Sequence, residues 1–109
     1  LVIEAMKAAK LAGVDWEKFY KLAAQGSGHS MSLDRIAPKA IEGSHDGYVF
    51  TIANTLKDFG YICNLLPTNS DARAFAEQMF NVYQEAFNRG MGEYLLSARL
   101  DPENYKMDQ

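Results

Sequence analysis

A lysine and an aspartate stand side by side at Lys57-Asp58, inside the longest apolar stretch of the chain, residues 50–66 (FTIANTLKDFGYICNLL). A lysine ammonium is a compact charge with three donors, suited to an anionic ligand. A carboxylate beside it can orient that ligand or accept a hydrogen bond from a hydroxyl. A solvated helix face carries such pairs too, and the spacing leaves both readings open. The other groups with chemical potential lie in two glycine-containing segments, residues 25–30 (QGSGHS) with His29 and residues 43–48 (GSHDGY) with His45. Ser27, Ser30, His29 and Asp34 are the residue types of a nucleophilic triad, but types without geometry do not make one. Gly26-Ser27-Gly28 follows no strand and fits neither G-x-x-x-x-G-K-[ST] nor G-x-G-x-x-G. It reads as an interhelical connection rather than a phosphate cradle. Neither histidine has a second ligand at helical spacing. Both read as solvated loop residues, and no metal site is expected.

The elements that must position these groups are helices. Within residues 50–66, Ile52, Leu56, Phe59, Cys63 and Leu66 recur at steps of three or four and form one apolar stripe. Asn54, Lys57, Asp58 and Tyr61 gather on another face, since positions three and four apart are neighbours. Upstream, residues 2–12 are rich in Ala, Lys, Leu, Met and Glu, good helix formers, and Gly13 ends that helix. Asp15 caps a second helix whose apolar face is Trp16, Phe19, Tyr20, Leu22 and Ala23. Ser30 or Ser32 caps a third helix running to about Ile41, which Pro38 is expected to kink or shorten. After the turn at residues 67–70, Ser70 caps a helix over residues 72–89, with Phe75, Met79, Val82, Tyr83, Ala86 and Phe87 facing inward and Gly90 ending it. A short helix over 93–100 and a polar tail (DPENYKMDQ) complete the chain. No segment alternates apolar and polar residues for long enough to be a strand. The expectation is an all-α, bundle-like domain of about five or six helices spanning residues 1–109.

Bulk properties narrow the function classes. A chain of 109 residues can bury a core without disulfides or metal. Net charge is −3 with both signs interspersed, and no basic patch carries interleaved aromatics, so nucleic acid is not an expected partner. No apolar run is long enough to span a bilayer, so no membrane is expected either. The single cysteine, Cys63, sits on the apolar stripe and fits a reduced, cytoplasmic setting. The chain opens inside a helix without a cap, as a fragment would.

Four motifs in order carry a family resemblance. They are Glu4-Ala5 with Gly13-Val14-Asp15; Gly26-Ser27-Gly28 leading to Ser30-Met31-Ser32-Leu33; Phe50 with Leu56-Lys57-Asp58-Phe59-Gly60; and Gly90-Met91-Gly92 with Ser97-Ala98. In that order and spacing, over residues 2–99, the chain resembles the C-terminal helical domain of the β-hydroxyacid dehydrogenases. This is the family of 3-hydroxyisobutyrate dehydrogenase and tartronate semialdehyde reductase. The resemblance implies an NAD(P)-dependent oxidoreductase in which a hydride passes between the nicotinamide of NAD or NADP and a small β-hydroxyacid. It implies that Lys57 binds the cofactor and that Asp58, Phe50, Ser30 and Met31 border the substrate. It also implies a homo-oligomer, an N-terminal dinucleotide-binding domain, and a catalytic lysine upstream of Leu1. No catalytic residue is expected in this chain, and Lys7 and Lys10 do not lie in that lysine's motif. The chain departs from the family where Met31 replaces a tryptophan, where Leu95 replaces an aspartate, and in the turn after Pro67. A helical dimerisation or interaction module without a catalytic role is the alternative.

Overall fold

The computed structural model describes residues 2–105; the last four residues of the expected polar tail lie outside them. The described residues are helical, with no strand. Six α-helices follow one another: α1 (Val2–Leu11), α2 (Trp16–Ala23), α3 (Met31–Ile41), α4 (Ile52–Leu65), α5 (Asp71–Ala86) and α6 (Pro102–Tyr105). Between α5 and α6 lie a wide turn at Phe87–Met91 and a 3-10 helix at Leu96–Leu100. The chain divides into two compact units, one of Leu1–Val49 with Leu95–Gln109 and one of Phe50–Tyr94.

In the first unit, α1, α2, α3 and the 3-10 helix close on Ile3, Met6, Trp16, Leu33, Ile36, Ala37, Ala40 and Leu100, all buried. The Trp16 indole N–H donates to the Met6 carbonyl at 2.8 Å, which satisfies the one polar atom of that ring. Lys10 lies over the same ring, 4.3 Å from its centroid. Arg99, itself buried, is paired with Glu4 of α1. Ser97 is also buried; its hydroxyl donates to the His45 carbonyl at 2.7 Å and accepts from the Tyr48 N–H at 3.4 Å. That one side chain fastens the 43–48 segment to the 3-10 helix.

Pro38 does not break α3. The helix runs on to Ile41, because Leu33, Ile36, Ala37 and Ala40 bury a continuous face on both sides of the proline. A proline inside a helix costs about 3 kcal/mol, and burial of Leu33 and Ile36 at roughly 1.5–3 kcal/mol each, with Ala37 and Ala40 beside them, offsets it. Ser30, not Ser32, is the cap, accepting from the Leu33 N–H at 3.0 Å.

The second unit is a helical hairpin. The stripe on α4 is as the periodicity predicts: Ile52 and Cys63 are buried, and Leu56, Phe59 and Leu66 are half-buried. Phe59 stacks on Tyr83 of α5 with centroids 6.0 Å apart. Arg73 of α5 donates to the Leu66 carbonyl at the end of α4 (3.1 Å) and to Glu77 (2.8 Å). Two expected inward residues of α5 face out instead: Phe75 and Phe87 are 49% and 45% exposed. In a two-helix unit the apolar stripe is narrow, and Ala76, Tyr83 and Ala86 already fill it. Leu22 of α2, expected inward, is likewise exposed. Past Ala86 the last long helix widens into a π-helical turn, and Gly90, the residue expected to end it, breaks it at φ 87°.

Candidate functional site

Lys57 and Asp58 project from the middle of α4, and Asn54, Lys57, Asp58 and Tyr61 are all exposed. Among the described residues neither the Lys57 nor the Asp58 side chain has a hydrogen-bond or ion-pair partner. A helix-borne cation and carboxylate that are not spent on each other or on a neighbour are available to a ligand. The opposite, core-facing stripe fixes the helix that carries them.

The start of α4 is tied down by backbone and cap alone. The Ile52 N–H donates to the Tyr94 carbonyl at 2.9 Å and the Ala53 N–H to the Gly92 carbonyl at 2.8 Å. The Asn54 N–H donates to the Thr51 hydroxyl at 3.1 Å. The orphan donors of the first turn are therefore filled by the chain itself, so α4 does not present an anion-binding N-terminus. This arrangement also brings Gly92 close to Phe87. A Cβ there would meet the Phe87 ring at 2.9 Å, so any larger residue requires that half-exposed ring to shift. Phe50 precedes the Thr51 cap and is half-buried, so it stands ahead of the helix rather than on it.

Ser30 and Met31 open α3 in the other unit. Met31 is 71% exposed. The Ser30 hydroxyl oxygen accepts the Leu33 N–H, which leaves its own O–H as a donor toward an acceptor such as a carboxylate. Lys57, Asp58 and Phe50 thus belong to one compact unit, and Ser30 and Met31 to the other.

A cluster beside Ser30 carries no sequence signal for its third member. The Tyr20 hydroxyl of α2 donates to one Asp34 oxygen at 2.9 Å, and His29 Nε2 meets the other at 2.8 Å. The hydrogen bond from Tyr20, with that from His29, holds the Asp34 carboxyl below the usual carboxylate range, and the same bond raises the Tyr20 phenol. His29 is therefore exposed but engaged. Of the residue types of a triad, His29 and Asp34 do meet, while Ser30 directs its oxygen to the helix cap.

His45 corrects the expectation of a solvated loop histidine. It is half-buried, with Nδ1 3.9 Å from an Asp101 oxygen. With Lys10, Trp16, Ile41 and Pro102 it lines a cavity of about 590 Å³ where α1 and α3 end. Ser30 and Met31 open α3 at its other end and do not line it. Among the described residues no three His, Cys, Asp or Glu side chains gather as a metal site. None of the described helices is long and apolar enough to cross a membrane.

The described residues thus form an all-α fold in which an exposed lysine and aspartate stand side by side on a well-anchored helix. Residues 1–99 match the family model described as the NAD-binding domain of NADP-dependent 3-hydroxyisobutyrate dehydrogenase, and the chain belongs to that family. The cofactor class is accordingly NAD(P), and the activity class, at its coarsest, is that of an NAD(P)-dependent oxidoreductase. No curated protein and no solved structure matches the chain significantly. Among the described residues the exposed Lys57 ammonium has no partner, which suits a dinucleotide's phosphates, and the exposed Lys18 and Lys21 of α2 share that property.

Proposed function

We propose that this chain is the helical domain of a dehydrogenase that oxidises a small β-hydroxyacid with NAD or NADP, and that Lys57 is its cofactor contact. The observation that carries this reading is the pair Lys57-Asp58, exposed and without side-chain partners among the described residues, in a chain whose family binds NAD. When bound, the nicotinamide supplies hydride transfer to or from the carbinol carbon. Lys57 holds negative charge by a charge-assisted hydrogen bond. Asp58 accepts a hydrogen bond from a substrate hydroxyl, and Phe50 excludes water beside it. The unit that contains α3, taken by itself, offers the Ser30 hydroxyl as a donor for a hydroxyacid's carboxylate and Met31 as an exposed apolar contact. The working protein is a cytoplasmic homo-oligomer in this reading.

The test is Lys57→Ala in the dehydrogenase. Loss of a charge-assisted hydrogen bond, about 1.5–3 kcal/mol, raises the cofactor KM by roughly ten- to a hundredfold. An unchanged cofactor KM and kcat would remove Lys57 from the site. It would also favour a second reading, a helical interaction module. A run of exposed apolar residues on α4 supports that alternative, with Leu65 at 82% and Tyr61 at 60% exposure.

A further inference from the structure

We infer that Asp34 is a positioning residue for the segment that carries Ser30 and Met31, acting through a Tyr20–Asp34–His29 chain of hydrogen bonds. The inference rests on the substrate role proposed for Ser30 only where activity is measured; the positioning itself stands on geometry.

Residues 25–29 are a weakly held connection. Their backbone bonds are short-range: Gln25 N–H to the Leu22 carbonyl, Gly26 N–H to that of Ala23, and His29 N–H to that of Gly26, each 3.2 Å. A Cβ at Gly28 would meet no atom within 4 Å, so nothing packs against the segment there. Glycine adds conformational entropy that something else must offset. Asp34 supplies it. The residue lies four positions after Ser30, and its N–H donates to the Ser30 carbonyl at 3.1 Å, so its carboxylate stands on the first turn of α3. That is where a helix favours negative charge. From there one oxygen takes the Tyr20 hydroxyl of α2 and the other takes His29. A single side chain thus braces α2 against the start of α3 and clips the far end of the glycine segment, one residue before Ser30. Removing it frees His29 and leaves Ser30 held only by its cap bond and by the backbone bond from the Asp34 N–H.

The chain of bonds is exposed, so its loss changes local order rather than global folding. The experiment compares Asp34→Ala, His29→Ala and the unsubstituted 109-residue chain by backbone ¹⁵N relaxation. Order parameters of Gly26, Gly28, Ser30 and Met31 are expected to fall from rigid values toward about 0.6 or below in both variants, with α4 and α5 unchanged. Unaltered order at those four residues in His29→Ala, whose exposed side chain leaves the core untouched, overturns the inference. In the dehydrogenase the same variants are expected to raise the hydroxyacid KM several-fold while cofactor KM stays fixed. If order falls and the hydroxyacid KM does not move, the positioning stands and the substrate role of Ser30 is what fails.

Discussion

Asp34 shows how much chemistry an exposed carboxylate gains from two neighbours. Both of its oxygens accept hydrogen bonds, from Tyr20 first and His29 second, and both bonds favour the ionised form. Its folded carboxyl therefore titrates below the unfolded one. The stabilisation is present above the ordinary carboxylate range, near 3.9 for a free Asp, and is lost as pH falls through the lower, folded value. A carbon-detected titration of the Asp34 carboxyl should give a midpoint below that of a free aspartate, and Tyr20→Phe should move it upward. A midpoint that Tyr20→Phe leaves in place would show that the hydroxyl contributes nothing. None of this was legible in the sequence. Tyr20 and Asp34 are fourteen positions apart on different helices, and no spacing rule joins them. Lys57-Asp58 is the opposite case. Period and stripe alone place it on the exposed face of a helix, but cannot say whether that face meets water or a ligand.

At the scale of elements, the sequence marks where helices begin and end better than which side chains they bury. Asp15, Ser30 and Ser70 are caps in the fold, each accepting from the N–H three residues on. Capping is local chemistry, and local chemistry is written in the residue types. The misjudged features depend on tertiary surroundings: Pro38 tolerated inside α3, and Leu22, Phe75 and Phe87 turned outward. The 43–48 segment belongs with them. A Cβ on Gly47 would lie 2.3 Å from the Arg35 carbonyl oxygen, a contact with backbone of α3 that cannot swing aside. Gly47→Ala must therefore push the segment off α3 and strain the Ser97 bonds that hold it. The expected cost is about 1–3 kcal/mol, the range of overpacking, read as a lowered urea midpoint with unchanged slope. A substitution at Gly28, which has open space, should cost far less. Equal losses at the two positions would mean that backbone entropy, not close approach, sets the Gly47 requirement.

At the scale of the whole molecule, family membership and the all-α fold were readable because four motifs fall in order over nearly the entire chain. The chemistry they imply is unevenly distributed. The chain offers the exposed Lys57 ammonium toward phosphate and the Ser30 hydroxyl proton toward an acceptor, but its sequence has no G-x-G-x-x-G turn. Dinucleotide binding in α/β folds draws on backbone N–H groups at such a turn and on the helix that follows it. The first turn of α4 has no donors to offer in their place, since Tyr94, Gly92 and Thr51 have taken them. A single exposed ammonium contributes about 1.5–3 kcal/mol, whereas a millimolar complex needs about 4. The isolated chain is therefore expected to bind NAD(P) more weakly than millimolar and to give no hydride transfer with any small β-hydroxyacid. The check is absorbance at 340 nm with both cofactors and a hydroxyacid panel, alongside calorimetry with the cofactor alone. Turnover above the buffer blank would place a complete catalytic site within these residues, and the division of labour inferred for Lys57 would have to be abandoned.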